Sequence, residues 1–429
     1  MGDDASSFPL RRKSAACEYE HQRFVLKKKS YDQQYSHMYV SRLRALEPVV
    51  RAHVEKGGLP ILPKIIDLKP GDPCVIIGTI FKSLAKKPNI LDEFVADEVL
   101  VLQESSTCLA SDDDQLVLED ESGRIALYGD IRVQEVVTGV VVGLQGEMRP
   151  GGDGFHVSRV CTPGIPPQSS LPARSDDAYV ALVSGIQMGS EACDPVKTSL
   201  MIDYLAGRIG NADEKNFVQS IVRTIVIGNT LGKSTKDNTL PKASATAIAQ
   251  PLEHIDALLS TLTTTMPVDI MPGAFDPSNF TLPQQPLATC LFPRSMYTTA
   301  CHVITNPCQL SVDQVRFFGT SGQNIDSIGM SCTGLSPIQG LSAMLDWRHL
   351  APTAPDILAC YPMPQEDLFV IEEAPHVFFA GNQPQFESHV VEGENKQSIR
   401  VVCVPSFAET GVVVLVNLRD LSCLPLTFQ

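Results

Sequence analysis

Residues 161–178, CTPGIPPQSSLPARSDDA, carry four prolines. Proline has no backbone donor and a fixed φ, so this stretch can enter neither a helix nor a sheet for any length. It reads as a connector, with the linker proper at 166–178, and it divides the 429 residues into a smaller and a larger region. The patterns on its two sides differ, which implies separate cores.

Before the connector, Tyr35, Met38, Tyr39, Arg42, Leu43, Leu46, Val49 and Val50 recur at spacings of three and four over 31–54. One helix face follows, within a helical segment at 30–60, and Pro48 should kink or end it. From 61 to 165 the signal becomes short strands: 74–81 (CVIIGTIF), 115–120, 124–128, 136–145 and 155–160. Ser122-Gly123 reads as a hairpin turn, with Gly123 expected to supply a positive φ. About five short strands with internal glycines point to a small closed barrel such as an OB-fold; a small sandwich is the alternative.

After the connector, apolar strands alternate with helical stretches. Strands are expected at 179–184, 224–228, 268–271, 302–305, 315–318, 377–381, 398–404 and 411–416, with helices near 195–207 and from Pro251 onward. Near-continuous apolar strands between helices imply sheets covered on their faces, an α/β region spanning 179–429.

Lys and Arg number 34 against 49 Asp and Glu, a net charge of −15 that disfavours binding to a phosphate backbone as the main task. Arg11, Arg12 and Lys13, then Lys27, Lys28 and Lys29, lie in a polar stretch at 1–29 that reads as a solvated tail or a nuclear import signal. Twelve cysteines form no CxxC pair, so reduced, buried thiols are expected rather than a zinc or iron-sulfur site. No long apolar run or basic-then-apolar leader is present; a nuclear or cytosolic, membrane-free protein is expected.

Several strands of the larger region end in glycine turns: Ser184-Gly185-Ile186, Gly228-Asn229-Thr230, Pro272-Gly273-Ala274-Phe275-Asp276 and Gly381-Asn382-Gln383-Pro384. Their order resembles the calcineurin-like phosphoesterases, whose strand-end motifs DxH, GD, GNHD or GNHE, and GHxH hold two metal ions. On that resemblance Ser184 and Ile186 stand at the first Asp and His, and Asn229 at the bridging Asp. Ala274 and Phe275 stand at Asn and His, Asp276 keeps its acid, and Asn382 and Pro384 take the last two His positions. Two divalent cations need anionic and imidazole ligands, so the resemblance implies no metal, no cofactor and no hydrolysis.

An inactive domain of this kind beside an OB barrel is similar to the B-subunits of replicative DNA polymerases. The stretches SYDQQYSHMYVSRL, LVLEDESGRIAL, MPVDIMPGAFDPSNFTLPQQPL, VRFFGTSGQN, HLAPTAPDILACYP and VNLRDLSCLPLTF resemble the delta branch of that family rather than the alpha or epsilon branches. Departures fall in the N-terminal stretch and at 104–112 and 187–220, expected to be loops, and the chain stops soon after Phe428.

The resemblance implies a nuclear accessory scaffold in DNA replication, repair and translesion synthesis. It bridges the cysteine-rich C-terminal domain of the polymerase delta catalytic subunit to a third subunit. A small fourth subunit and the polymerase zeta catalytic subunit are further partners, with little or no direct DNA binding and no membrane. Segments 282–293 and 352–364 are candidate contact surfaces or turn-forming core. Two other readings remain open at this point: an active metal-dependent phosphodiesterase or exonuclease, and a single-stranded DNA binder.

The remaining residues carry structural expectations. Asp276, followed by Pro277, Ser278 and Asn279, reads as an Asx-type turn. None of the nine histidines forms an HxH or HExxH pair, and His302 and His376 should be satisfied strand-end residues. Ser321 in GTSGQ fits a nucleophile elbow only partly and reads as a turn. Asp269 should be a paired carboxylate. Phe81, Tyr128 and Phe155 are expected in the barrel core, leaving no aromatic platform for single strands.

Overall fold

Residues 12–27, 30–87, 108–233, 241–363 and 365–429 are described by a computed structural model of the chain. Residues 12–27 do not form a solvated tail: strand β1 (Cys17–Tyr19) pairs antiparallel with the much later segment Cys308–Val312. Arg11, Lys28, Lys29 and residues 104–107 lie outside the described residues.

The first helix, Ser36–Val54, buries Met38, Arg42, Leu46, Val50 and Val54, every fourth residue, on one face. It starts later than the periodicity indicated and runs through Pro48. An interior proline costs about 3 kcal/mol, and the buried face offsets that by packing on the barrel that follows.

Strands β2 (Cys74–Ser83), β3 (Gln115–Glu119), β4 (Arg124–Gly129), β5 (Val141–Met148) and β6 (Phe155–Cys161) close into a barrel in the order β2-β3-β4-β6-β5. Ile76, Ile80, Leu118, Leu144 and Phe155 fill it. Gly143 of β5 lets the helix come close, since a Cβ there would lie 2.9 Å from Val50. The β3–β4 turn differs from expectation, because Gly123 is not among the positive-φ residues. Instead one Asp120 carboxylate oxygen accepts from the Ser122 and Gly123 amides at 2.6 and 2.9 Å, and the other from Ile65 at 2.7 Å. Tyr128, expected in the core, is 46% exposed.

The larger region is two six-stranded sheets face to face. Its strands are β7 (Tyr179–Val183), β8 (Ile221–Ile227), β9 (Val268–Met271), β10 (Cys301–Val303), β11 (Cys308–Val312), β12 (Val315–Thr320), β13 (Val377–Gln383), β14 (Glu387–Glu392), β15 (Ser398–Pro405), β16 (Val412–Asn417) and β17 (Cys423–Thr427). One sheet runs β10-β9-β8-β7-β16-β17, the other β1-β11-β12-β13-β15-β14. Leu182, Ile225, Ile227, Phe317, Phe379, Val402 and Val414 interleave between them. Every residue of β8 is buried, as a strand covered on both faces requires.

Helices Pro195–Leu205 and Pro241–Thr263 cover the outer face of the first sheet, through Met201, Leu205, Ile255 and Leu259. Helices Gln323–Ser331 and Pro337–Asp346 cover the second, in a core continuous with the barrel. Four layers result. The helix expected to open at Pro251 begins ten residues earlier, in an alanine-rich stretch that favours helix. The helix expected near 195–207 is Pro195–Leu205, and within 187–220, expected as a loop, a second helix stands at Ala212–Val218.

Barrel and sandwich meet through buried charge. Arg42, fully buried, donates to the Asp367 carboxylate at 2.8 Å and to the carbonyls of Gly139, Pro352 and Ala354 at 2.8–3.0 Å. His349 Nε2 lies 2.9 Å from the same carboxylate. Burial, then Arg42, lowers the His349 pKa to about 4, so its ring is neutral. Burial opposes ionisation of Asp367, but His349 and Arg42 outweigh it and hold the acid below the usual carboxylate range. Lys82 of β2 reaches across to the carbonyl of Ser331 at 2.8 Å.

Candidate functional site

The glycine turns at the ends of β7, β8, β9 and β13 converge. Their backbones need the left-handed region: Gly185 and Gly228 have φ of 60° and 65°, and Asn229 and Asn382, of a residue type that tolerates it, 49° and 56°. Gly273 sits so close to the neighbouring turn that a Cβ would lie 2.2 Å from the Asn229 nitrogen.

Hydrogen bonds lace these turns together. The buried Ser184 hydroxyl faces the carbonyls of Val404 and Pro405 at 3.1 and 2.9 Å and accepts from the Asn382 amide at 3.0 Å. Asn382 Nδ2 donates to the carbonyls of Ile227 and Ser321, at 3.2 and 2.8 Å. Asn229 Oδ1 accepts from the Phe275 amide at 3.1 Å. Ile186 is buried in the core beneath. Ala274, Phe275 and Pro384 face outward at the mouth.

Asp276 does not form the expected Asx turn. One carboxylate oxygen accepts from the Leu231 amide at 2.9 Å, and the other from Gly273 and Thr230 at 2.8 and 3.2 Å. Burial pushes its pKa up to about 6, against the lowering effect of those amides. Both oxygens are thus occupied by backbone donors of two turns.

The residues present do not fit a pair of divalent cations. Among the described residues no group of three or more His, Cys, Asp or Glu side chains is placed to hold a metal ion. Two oxygens here, Asn382 Oδ1 and the Thr230 hydroxyl, are buried without a hydrogen-bond partner, and both are neutral. Neutral oxygens alone do not offset the dehydration of two divalent ions.

An amide lattice that the sequence did not reveal stands beside these turns. Gln284 Oε1 accepts from Asn306 and Gln323 at 2.8 and 2.9 Å, while Gln284 Nε2 donates to the Gly273 carbonyl at 3.0 Å. Ser321, on the same lattice, donates to Gln323 and has no histidine base beside it. The only available signal was the amide-rich composition of the PQQP and TNP stretches.

The other candidates take structural roles. Arg223 pairs with Asp269 at 2.7 Å, joined by the Tyr19 hydroxyl at 2.7 Å. His376 Nδ1 accepts from the Arg316 amide at 2.9 Å and its Nε2 lies 3.0 Å from the Ser169 carbonyl. His302 packs against the Tyr19 ring. Segments 282–293 and 352–363 pack on each other, the Leu282 amide donating to the Ala359 carbonyl and the Leu282 carbonyl accepting from the Tyr361 amide, so much of both is core support, and residue 364 lies outside the described residues. Exposed aromatic surface lies nearby instead, at Phe280 (72%) and Tyr31 (68%).

Two family models match the chain: one describes the B-subunit of DNA polymerase alpha/epsilon and covers residues 180–388, the other the OB-fold domain of the DNA polymerase delta subunit, over 34–160. A DNA polymerase delta small subunit of Oryza sativa subsp. japonica is 39% identical over 98% of this chain and 99% of its own length. That of Arabidopsis thaliana is 39% identical over 95% of this chain and 94% of its own length. That of Saccharomyces cerevisiae is 31% identical over 92% and 89%.

Proposed function

Since the chain belongs to the family of DNA polymerase delta small subunits, accessory subunits of a replicative polymerase, we propose that it acts there without catalysis. It is a scaffold in the nucleus that bridges the catalytic subunit's cysteine-rich C-terminal domain to a third subunit. In this reading its sandwich (179–429) is a calcineurin-like phosphoesterase domain whose centre has degenerated, and its barrel (61–165) shares the docking role. A small fourth subunit and the polymerase zeta catalytic subunit would use the same body.

The observation that carries the reading is Asp276. The one carboxylate left among the signature positions accepts three backbone amides, so its lone pairs fasten turns together instead of facing a metal. Hydrolysis of a phosphate ester at such a site lacks both a Lewis acid and a metal-bound hydroxide. The turns become rigid supports, and the surface is free to serve contact. Arg42, holding helix, barrel and sandwich together, suits a body that must keep two partners in a fixed relation.

Co-expression with the C-terminal region of a polymerase delta catalytic subunit, followed by gel filtration, tests the proposal. A joint peak of equimolar composition is expected. Separate elution of the two chains would contradict it.

A further inference from the structure

The N-terminal strap combines features that neither the scaffold role nor the strand-end turns use. In sequence it reads Leu10-Arg11-Arg12-Lys13-Ser14-Ala15, three cations immediately before a serine. Kinases with acidic subsites select such serines by pairing carboxylates with the arginines that precede the hydroxyl. Ser14 is exposed, and among the described residues no hydrogen bond engages its side chain.

In the docked strap two of those cations, Arg12 and Lys13, are otherwise engaged. Arg12 donates to the carbonyls of Leu205, Val218 and Ile221, so it caps the end of helix Pro195–Leu205 and the start of β8. Lys13 pairs with Asp176 at 2.9 Å, and its backbone amide bonds Gln219. Two residues beyond Ser14, the Ala16 amide donates to Asp313 at 2.7 Å. Ser14 therefore lies between contacts to two carboxylates, with Asp177 adjoining. The nearby cations, Arg174 and Arg419, are already committed: Arg174 to Asp313 and Asp176, Arg419 to Asp177 and Asp420.

We infer that Ser14 is a phosphorylation site for an arginine-directed serine/threonine kinase, and that the docked strap and the phosphorylated strap exclude each other. The serine oxygen attacks the γ-phosphorus of ATP. An O–P bond forms as the bond to the β–γ bridging oxygen breaks, ADP leaves, and the hydroxyl proton passes to the kinase's base. Recognition requires Arg12 to leave its carbonyls, so the strap must open first. The product carries a charge of about −1.5 to −2 and faces Asp176, Asp177 and Asp313 on return, which disfavours docking. Arg12 and Lys13 pair with the phosphate instead, and β1 leaves the edge of its sheet, uncovering β11.

The test uses the full chain, Mg-ATP and an arginine-directed kinase, with intact mass and deuterium exchange as readouts. A Glu18→Pro chain keeps residues 11–14 but removes a donor from the middle of β1, loosening the strap. One phosphate per chain is expected, absent in Ser14→Ala and incorporated faster in Glu18→Pro. Exchange in residues 15–20 and 308–312 should rise about tenfold or more after modification. Incorporation only in Glu18→Pro also supports the site, with the strap as its gate. No incorporation in either chain, incorporation unchanged in Ser14→Ala, or unchanged protection of the phosphorylated strap would each overturn the inference.

Discussion

Asp367, at the joint between barrel and sandwich, and Asp276, among the strand-end turns, are both buried acids, and their surroundings treat them in opposite ways. Asp367 meets a permanent cation, Arg42, and a neutral His349, and stays ionised. Asp276 meets backbone amides alone, and its pKa rises to about 6. Charge in the joint fastens two bodies to each other, where a mismatched partner would be costly. The turns are built from amides, hydroxyls and glycine backbone. Burial alone does not mark a reactive acid; the chemistry of its donors does.

The largest effect should come from breaking the joint. Arg42→Met leaves Asp367 buried without its cation, and urea unfolding should show a loss of about 3–5 kcal/mol. A loss under about 1 kcal/mol would mean that the joint is not held by charge. Next, Asp276→Asn should lose about 1–3 kcal/mol, because its new NH2 group faces backbone donors instead of accepting from them. Were Asp276 a ligand in a working centre, the same change would leave stability intact and remove metal.

A smaller effect sharpens the contrast through pH. Between about pH 4 and 6 the folded chain holds a proton on Asp276 that the unfolded chain has released. This acid's contribution to stability therefore grows as pH falls from 7 toward 5, by about 1 kcal/mol, and denaturation curves of Asp276→Asn should lack that slope. The smallest effect belongs to a surface pair. Arg44, 72% exposed, faces Glu121 at 3.3 Å, and Arg44→Ala should change stability by less than about 0.5 kcal/mol.

Much of this architecture was legible because its signals are local. The prolines at 163, 166, 167 and 172 break any element, the strand-end glycines mark left-handed turns, and the apolar runs of β8 and β15 read as covered strands. The convergence of Ser184, Asn229, Asp276 and Asn382 came from motif order and was found in space. What escaped depends on distant partners. Arg12 belongs to a polar stretch until the carbonyls of Leu205 and Val218 are seen beside it. Likewise Asp276 followed by Pro277 suggests a local turn, whereas two of its three donors lie 45 and 46 residues earlier in the chain. Tyr128, expected inside as one of the few barrel aromatics, falls on the same side of its strand as Arg124 and Ala126, while Ile125 and Leu127 take the inward positions.

Equilibrium dialysis of the full chain against manganese, with metal content measured and a phosphodiester substrate added, tests most directly whether the strand-end turns hold metals. No stoichiometric ion and no turnover are expected, in the native chain or in Asp276→Ala. Two ions per native chain, with hydrolysis that Asp276→Ala abolishes, would contradict it.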